Sequence, residues 1–215
     1  NGLTIGMIYA LIALGYTMVY GILQLINFAH GEVFMIGSYV GLFVLTFFIS
    51  SGLNASVPIA GILVITFLVA MLICALLGVA IERLAYKPLR NSSRLSLLIT
   101  ALGISIVLQN LVMLTMGARD KPYPSNFFPA DPIILAGVHI TYIQIFILVT
   151  TLFLMIGLNL LIHKTRLGKA MRATAQDIEA AGLMGINSDQ IIMLTFAIGS
   201  ALGAAAGVLF GLYYG

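Results

Sequence analysis

Six apolar runs, each long enough to cross a bilayer, dominate this sequence: Leu3–Ile26, Val33–Ile49, Val57–Ile81, Leu95–Met116, Tyr142–Ile162 and Ile191–Tyr214. A spanning helix needs about 20 apolar residues at a rise of about 1.5 Å each. Inside lipid every backbone N–H and C=O must find a partner within the segment or its bundle, and a helix satisfies that demand locally. The balance of residue types agrees: 61% are hydrophobic and 8% charged, against about 25% charged in a soluble domain. The expected fold is an all-α, polytopic transmembrane helix bundle, one membrane domain over residues 1–215 with about six spans.

The connections orient the spans. Glu82–Arg94 carries Arg83, Lys87, Arg90 and Arg94, and His163–Gln190 carries Lys164, Arg166, Lys169 and Arg172. Gly117–Ile140 has only Arg119 and Lys121, balanced by Asp120 and Asp131. Eight of the ten basic residues thus fall on one side, which the positive-inside rule makes cytoplasmic. In a soluble chain a net charge of +3 could point to nucleic acid. Here the basic residues serve topology, so the expected surroundings are lipid, with no nucleic-acid partner. Residue 1 is Asn at the edge of an apolar run, so the chain reads as a fragment cut at its N-terminus.

One polar island interrupts this pattern, Asn27–Phe28–Ala29–His30–Gly31–Glu32. An acidic side chain costs about 2.5–3.5 kcal/mol at the centre of a spanning helix, and persists there when it faces a bundle interior or a water-filled path. A helix over Val33–Ile49 would reach about 25 Å, short of a hydrocarbon core of about 30 Å, whereas one starting at Asn27 would reach about 34 Å. Two readings stand. In one the island is an interfacial turn, with Asn27 capping the second helix and Glu32 in its first turn. In the other it is a break in a helix lining a path, with Asn27, His30 and Glu32 as pathway residues.

Gly117–Ile140 contains Pro122, Pro124, Pro129 and Pro132, which rule out a regular helix across it. Its aromatics Tyr123, Phe127 and Phe128 would anchor at the outer interface or dock a partner. The last run has Gly199, Gly203, Gly207, Gly211 and Gly215 at steps of four. In lipid this spacing builds a face on which another helix can approach closely, so the first four are read as helix-packing residues. Gly2/Gly6 and Gly37/Gly41 repeat the device. Lone Cys74 lies in an apolar run, and His139 and His163 fall in connections. No phosphate-binding loop, metal-ligand cluster or nucleophile elbow appears. The chain therefore carries no ATPase motif of its own, and neither cofactor nor metal is expected.

The connection His163–Gln190 is too long to be a simple link. Ala173–Gly185 reads as a short helix, with Thr174 and Asp177 resembling a capping box. Ile178, Ala181, Gly182 and Leu183 form an apolar face, and Gly185 ends the helix. Asn187 or Ser188 would cap the next span. Such a helix rests on the membrane surface or serves as a peg for a partner.

Here a family resemblance enters. Glu179–Ala180–Ala181, followed by Gly185, resembles the Glu-Ala-Ala…Gly coupling loop of ABC importer permeases. Met18–Val40 (MVYGILQLINFAHGEVFMIGSYV), Ile81–Arg90 (IERLAYKPLR), Ala101–Asn110 (ALGISIVLQN) and Arg166–Asn187 (RLGKAMRATAQDIEAAGLMGIN) resemble branched-chain amino-acid permeases of the LivH type. Related permeases for urea and short amides share the Asn-x-Ala-His-Gly core. The proline that the wider family carries after the coupling loop is absent. Family members continue beyond Gly215, so truncation at the C-terminus is expected as well.

The resemblance implies a permease subunit of an ATP-driven importer in a prokaryotic inner membrane. It would work with a second homologous permease, two cytoplasmic ATP-binding subunits and a periplasmic or surface-anchored binding protein. Residues 163–190 would be the coupling loop, with Asp177, Glu179, Ala180, Ala181 and Gly185 at the ATPase contact. The rival class is a proton-coupled secondary transporter or channel in which His30 or Glu32 relays protons.

Overall fold

The computed structural model describes residues 1–53, 57–90, 92–119, 121–124, 133–135 and 138–215. All six apolar runs are helices of spanning length. Helix α1 covers Gly2–Leu23 and α2 covers His30–Ser50. Helix α3 covers Ile59–Ile81 and continues through a π turn, Glu82–Tyr86, into a last turn at Lys87–Leu89. Helices α4 (Arg94–Met116) and α5 (Tyr142–Lys164) follow. Two short helices, α6 (Arg166–Gln176) and α7 (Ile178–Leu183), lead into the last span, α8 (Ser188–Tyr214).

Side-chain caps explain several of the boundaries. The Ser93 hydroxyl accepts from the Ser96 N–H (3.3 Å) at the head of α4. Thr141 and Gln144 form a capping box on α5, and Asn187 Oδ1 accepts from the Gln190 N–H (3.1 Å) to start α8. Each cap satisfies an N–H that the helix itself leaves unpaired.

Helix α8 is the axis of the bundle, with α1, α2 and α3 packed around it. Helix α5 leans on α1, and α4 sits at the rim against α2 and the π turn. The four stripe glycines of α8 each meet a different neighbour. A methyl group on Gly199 would lie 2.9 Å from the Gly15 carbonyl oxygen, and one on Gly203 would lie 3.2 Å from the His30 ring. One on Gly207 would run into the Phe34 carbonyl and the Ser38 N–H, and one on Gly211 into the Tyr123 ring. Gly37 and Gly41 face Ala204 and Val208 of the same helix. Gly2 and Gly6 depart from the expected pattern: among the described residues nothing stands within 4 Å of the space their side chains would occupy.

Other expectations need correction. The second span starts at His30, neither at Asn27 nor at Val33, because the chain before it is held in a turn by the Asn27 side chain. The single helix expected over Ala173–Gly185 is two helices. Asp177 is extended (φ −155°, ψ 113°), and its carboxylate caps the second, so Thr174 and Asp177 do not form a capping box. The 117–140 connection contains a small antiparallel hairpin, β1 (Ile133–Leu135) with β2 (Val138–Ile140). His139 therefore lies in a strand opposite Ile134, and His163 lies in the last turn of α5, its Nδ1 3.0 Å from the Asn159 carbonyl. Tyr123 is buried rather than spread on the outer interface: its hydroxyl donates to the Ser38 carbonyl. Burial pushes that phenol up to about 12, against the lowering pull of its hydrogen bonds, so it stays a neutral donor at neutral pH. Phe127 and Phe128 lie outside the described residues.

Candidate functional site

Helix α1 ends where Gln24 turns left-handed (φ 53°) and returns its N–H to the Tyr20 carbonyl. The chain then climbs back without helical structure to His30. Asn27 is buried (4% exposed). Its Oδ1 accepts from the Ala29 N–H (3.2 Å) and from the Tyr86 hydroxyl (3.2 Å), so it ties the re-entering chain to the π turn of α3. The island is thus split: Ala29 and His30 are buried, while Phe28 and Gly31 are exposed.

His30 is wedged between two glycines. A methyl group on Gly15 would come within 2.9 Å of the imidazole Cε1, and Gly203 faces it from the other side. The Tyr16 ring meets it edge-on at 5.6 Å. Only glycine leaves room for a ring between these helices. The imidazole Nε2 is buried and makes no hydrogen bond of good geometry among the described residues, the Ile12 backbone being the group within reach of the ring.

Helix rise gives the depth. Gly203 stands about 22 Å along α8 from its start at Ser188, and Gly15 about 21 Å along α1 from Asn1. A third helix agrees: Glu32, half-buried in the first turn of α2, accepts a hydrogen bond from Ser105 (2.9 Å), about 16 Å into α4 from Arg94. The second span therefore begins about midway between the two ends of the bundle. Irregular backbone at such depth is tolerated where it is enclosed in protein or lines a cavity.

Cavities lie on either side of this re-entry. The outer one, about 470 Å³, is bordered by Phe34, Ser38, Tyr39, Lys121, Phe210 and Tyr214. The inner one, about 350 Å³, is bordered by Leu25, Tyr86, Arg90, Ile178, Ser188 and Asp189. Phe34 is one turn above His30, and Tyr86 holds Asn27 below it, so the island stands between the two.

At the end of the bundle that holds Lys87, Arg90 and Asp189, α7 is built as a compact peg. Asp177 Oδ1 accepts from the N–H groups of Glu179 and Ala180, both at 2.9 Å. Gly185 is left-handed (φ 82°), and two bonds close the turn: Ile186 N–H to Ala181 O and Gly185 N–H to Gly182 O, both at 3.0 Å. This is the Schellman arrangement, in which glycine takes the left-handed position at little cost. The expected apolar face divides. Ala181 turns inward and is buried, whereas Leu183 (90% exposed) and Met184 (83%) point outward. Leu183 lies about 200° around the helix from Ala181, so the two cannot share a contact face.

Sequence reasoning counted Arg83, Lys87 and Arg90 only as topological charges. The structure gives Lys87 and Arg90 specific partners. Lys87 pairs with Asp189 at 2.9 Å, and Arg90 pairs with both Asp189 and Glu82. Glu82 is 1% exposed. Its spacing of eight from Arg90 is about two turns, beyond the three- and four-residue separations at which helical side chains pair, which is why the pair gave no signal. The roles of Tyr86 and Ser105 were equally hidden. Among the described residues no group of three or more His, Cys, Asp or Glu side chains is arranged to hold a metal ion.

Six apolar spans, one of them a glycine-faced axis, and a polar re-entry at mid-depth make this a multi-pass membrane protein built as a helical bundle. The chain belongs to the family of branched-chain amino acid transport system permease components, whose model matches residues 1–215. It is 49% identical over 219 residues to the high-affinity branched-chain amino acid transport system permease protein BraD of Pseudomonas aeruginosa, covering 100% of this chain and 70% of that protein. It is 47% identical over 220 residues to the corresponding LivH of Escherichia coli, with the same coverage. A probable branched-chain amino acid transport permease protein LivH of Methanocaldococcus jannaschii is 29% identical over 206 residues, 93% of this chain and 61% of that one. No solved structure matches the chain.

Proposed function

We propose that this chain is the transmembrane permease subunit of an ATP-driven importer and carries branched-chain amino acids through the inner membrane. The observation that carries the reading is the re-entry at mid-depth. Asn27, His30 and Glu32 bring an amide, an imidazole and a carboxylate to mid-depth, between a cavity bordered by Phe34 and one bordered by Tyr86. A zwitterion with an apolar side chain needs such a route: polar groups for its backbone charges and aromatic and aliphatic walls for its side chain. The BraD and LivH relatives, named as branched-chain amino acid permeases, supply the substrate class.

The energy source lies with partners. Leu183 and Met184 present an exposed apolar tip on a rigidly capped helix, suited to a pocket on a cytoplasmic ATP-binding subunit. Asp177, Glu179, Ala180, Ala181 and Gly185 shape that helix, and residues 163–190 form the coupling loop around it. A second permease subunit and an external binding protein complete the assembly.

The test is reconstitution of the full-length permease with its partner subunits. Leucine, isoleucine and valine uptake should require ATP and loaded binding protein, and should persist with a protonophore when ATP is clamped. Uptake that collapses with the proton gradient under clamped ATP would support the proton-coupled reading instead.

A further inference from the structure

The Ile81–Arg90 segment carries the most irregular helical backbone among the described residues. Five residues, Glu82–Tyr86, form a π turn inside an otherwise α-helical rod. Such turns absorb one extra residue and recur at functional sites. Here the extra residue has a geometric effect. In an unbroken α-helix, side chains eight residues apart point about 80° away from each other. With one residue absorbed the separation behaves as seven, close to two full turns, and Glu82 and Arg90 come onto one face.

A series of contacts then runs from the cytoplasmic peg to the re-entry. The Ser188 hydroxyl donates to the Ile178 carbonyl of α7 (3.3 Å). Its neighbour Asp189 pairs with Lys87 and Arg90, and Arg90 pairs in turn with buried Glu82 at the head of the π turn. At the foot of that turn the Tyr86 hydroxyl donates to Asn27 (3.2 Å), three residues before His30. The Tyr86 ring also lies 5.0 Å from Phe196 of α8. Two features give this series room to rearrange. The inner cavity borders Tyr86, Arg90, Ile178, Ser188 and Asp189. Arg90 Nε is buried without a partner among the described residues, so the guanidinium keeps a spare donor.

We propose that the Glu82–Arg90 turn transmits the position of α7 to the mid-depth re-entry, with Arg90 as the clamp and Tyr86 as the positioning residue for Asn27 and His30. The inference rests on the transport reading above. A passive strut would hold the same contacts in every state, whereas a transmission element exchanges them as α7 moves.

The experiment compares the full-length permease, assembled with its partners in proteoliposomes, as wild type, Tyr86→Phe and Asp189→Asn. Leucine uptake and ATP hydrolysis are read together. Phe28→Cys in a Cys74→Ser background reports the re-entry by thiol labelling with and without nucleotide. In the variants the leucine carried per ATP should fall by about fivefold or more, and the nucleotide-dependent change in labelling seen in the wild type should vanish. A merely structural role would lower uptake and hydrolysis together, in step with the amount of assembled complex, and leave the labelling change intact; that result overturns the proposal. If Tyr86→Phe does not assemble, Asp189→Asn, at a half-exposed side chain, decides alone. A wild-type complex that carries no leucine would count against the transport reading, and the labelling arm would still decide for or against transmission.

Discussion

Helices α8 and α4 are both spanning helices of similar hydropathy, yet one is the axis of the bundle and the other lies at its rim. Of the most apolar window, 72% is buried in α8 and 17% in α4. Hydropathy does not separate them, because lipid tails are as apolar as a protein core and give helices no hydrophobic reason to associate. Residue size does. Helix α8 carries Gly199, Gly203, Gly207 and Gly211 with Ala204, Ala205 and Ala206, all buried. Helix α4 instead exposes Leu95, Ile99, Ile106, Val107 and Leu114. The centre of a membrane bundle is where side chains are small enough for backbones to touch.

The largest effect should come from adding volume to the axis. Gly207→Val places side-chain carbon against the backbone of α2. Overpacking a tight site costs about 1–3 kcal/mol or more, so the detergent-purified variant should melt well below wild type and lose uptake. A wild-type melting temperature would break the contrast at its centre.

The next effect tests the described polar bond between rim and interior, from Ser105 of α4 to Glu32 of α2. Glu32→Leu removes charge and hydrogen bonding and should lose most uptake while still inserting and assembling. Glu32→Gln keeps the shape and an acceptor and should retain the larger share. Equal, wild-type uptake by both would reduce Glu32 to a helix-end residue.

A smaller and more selective loss is expected at the cytoplasmic foot of the axis. Gly185→Val forces a β-branched residue into a left-handed turn (φ 82°), at about 1–2 kcal/mol. Membrane insertion should be normal, while the stimulation of ATP hydrolysis by loaded binding protein falls several-fold. Full stimulation would remove α7 from the coupling role. Smallest of all, Leu114→Ala on the rim (83% exposed) should change the stability of the isolated subunit, read from its melting temperature, by no more than surface changes do, about 0.5 kcal/mol. A larger shift that appears only in the assembled complex would show that the rim meets protein.

The spans were readable because spanning length is a local property of the chain. Each expected run lies within a few residues of its helix, and Asn187 and Gly185 did what their chemistry dictates at helix ends. The interior of the site was not readable in the same way. Asn27 is both a plausible cap and a plausible buried ligand of Tyr86, and only the fold, which brings residues 27 and 86 together, decides between them. Glu82 and Arg90 meet through a π turn, whose extra residue hides their pairing from any regular periodicity. The inward turn of Ala181 depends on the break at Asp177, where one side chain outweighs the helical propensity of the alanines around it.

The rod from Ile59 to Leu89 has 31 residues, a length of about 46 Å, against a hydrocarbon core of about 30 Å. Its first 23 residues form an apolar helix, and the turns after them carry Glu82, Arg83 and Lys87, with Arg90 just past the end. Such a rod cannot slide along its own axis. Moving it outward would drag charges into lipid, and moving it inward would put leucine and isoleucine into water. Tilting remains open to it, and tilting is how a long span adapts to its bilayer at modest cost. Because the charged tip lies far from the mid-membrane level, a small tilt there becomes a large sideways displacement at the membrane surface, and a sideways push on the tip returns as a small, forceful turn at depth.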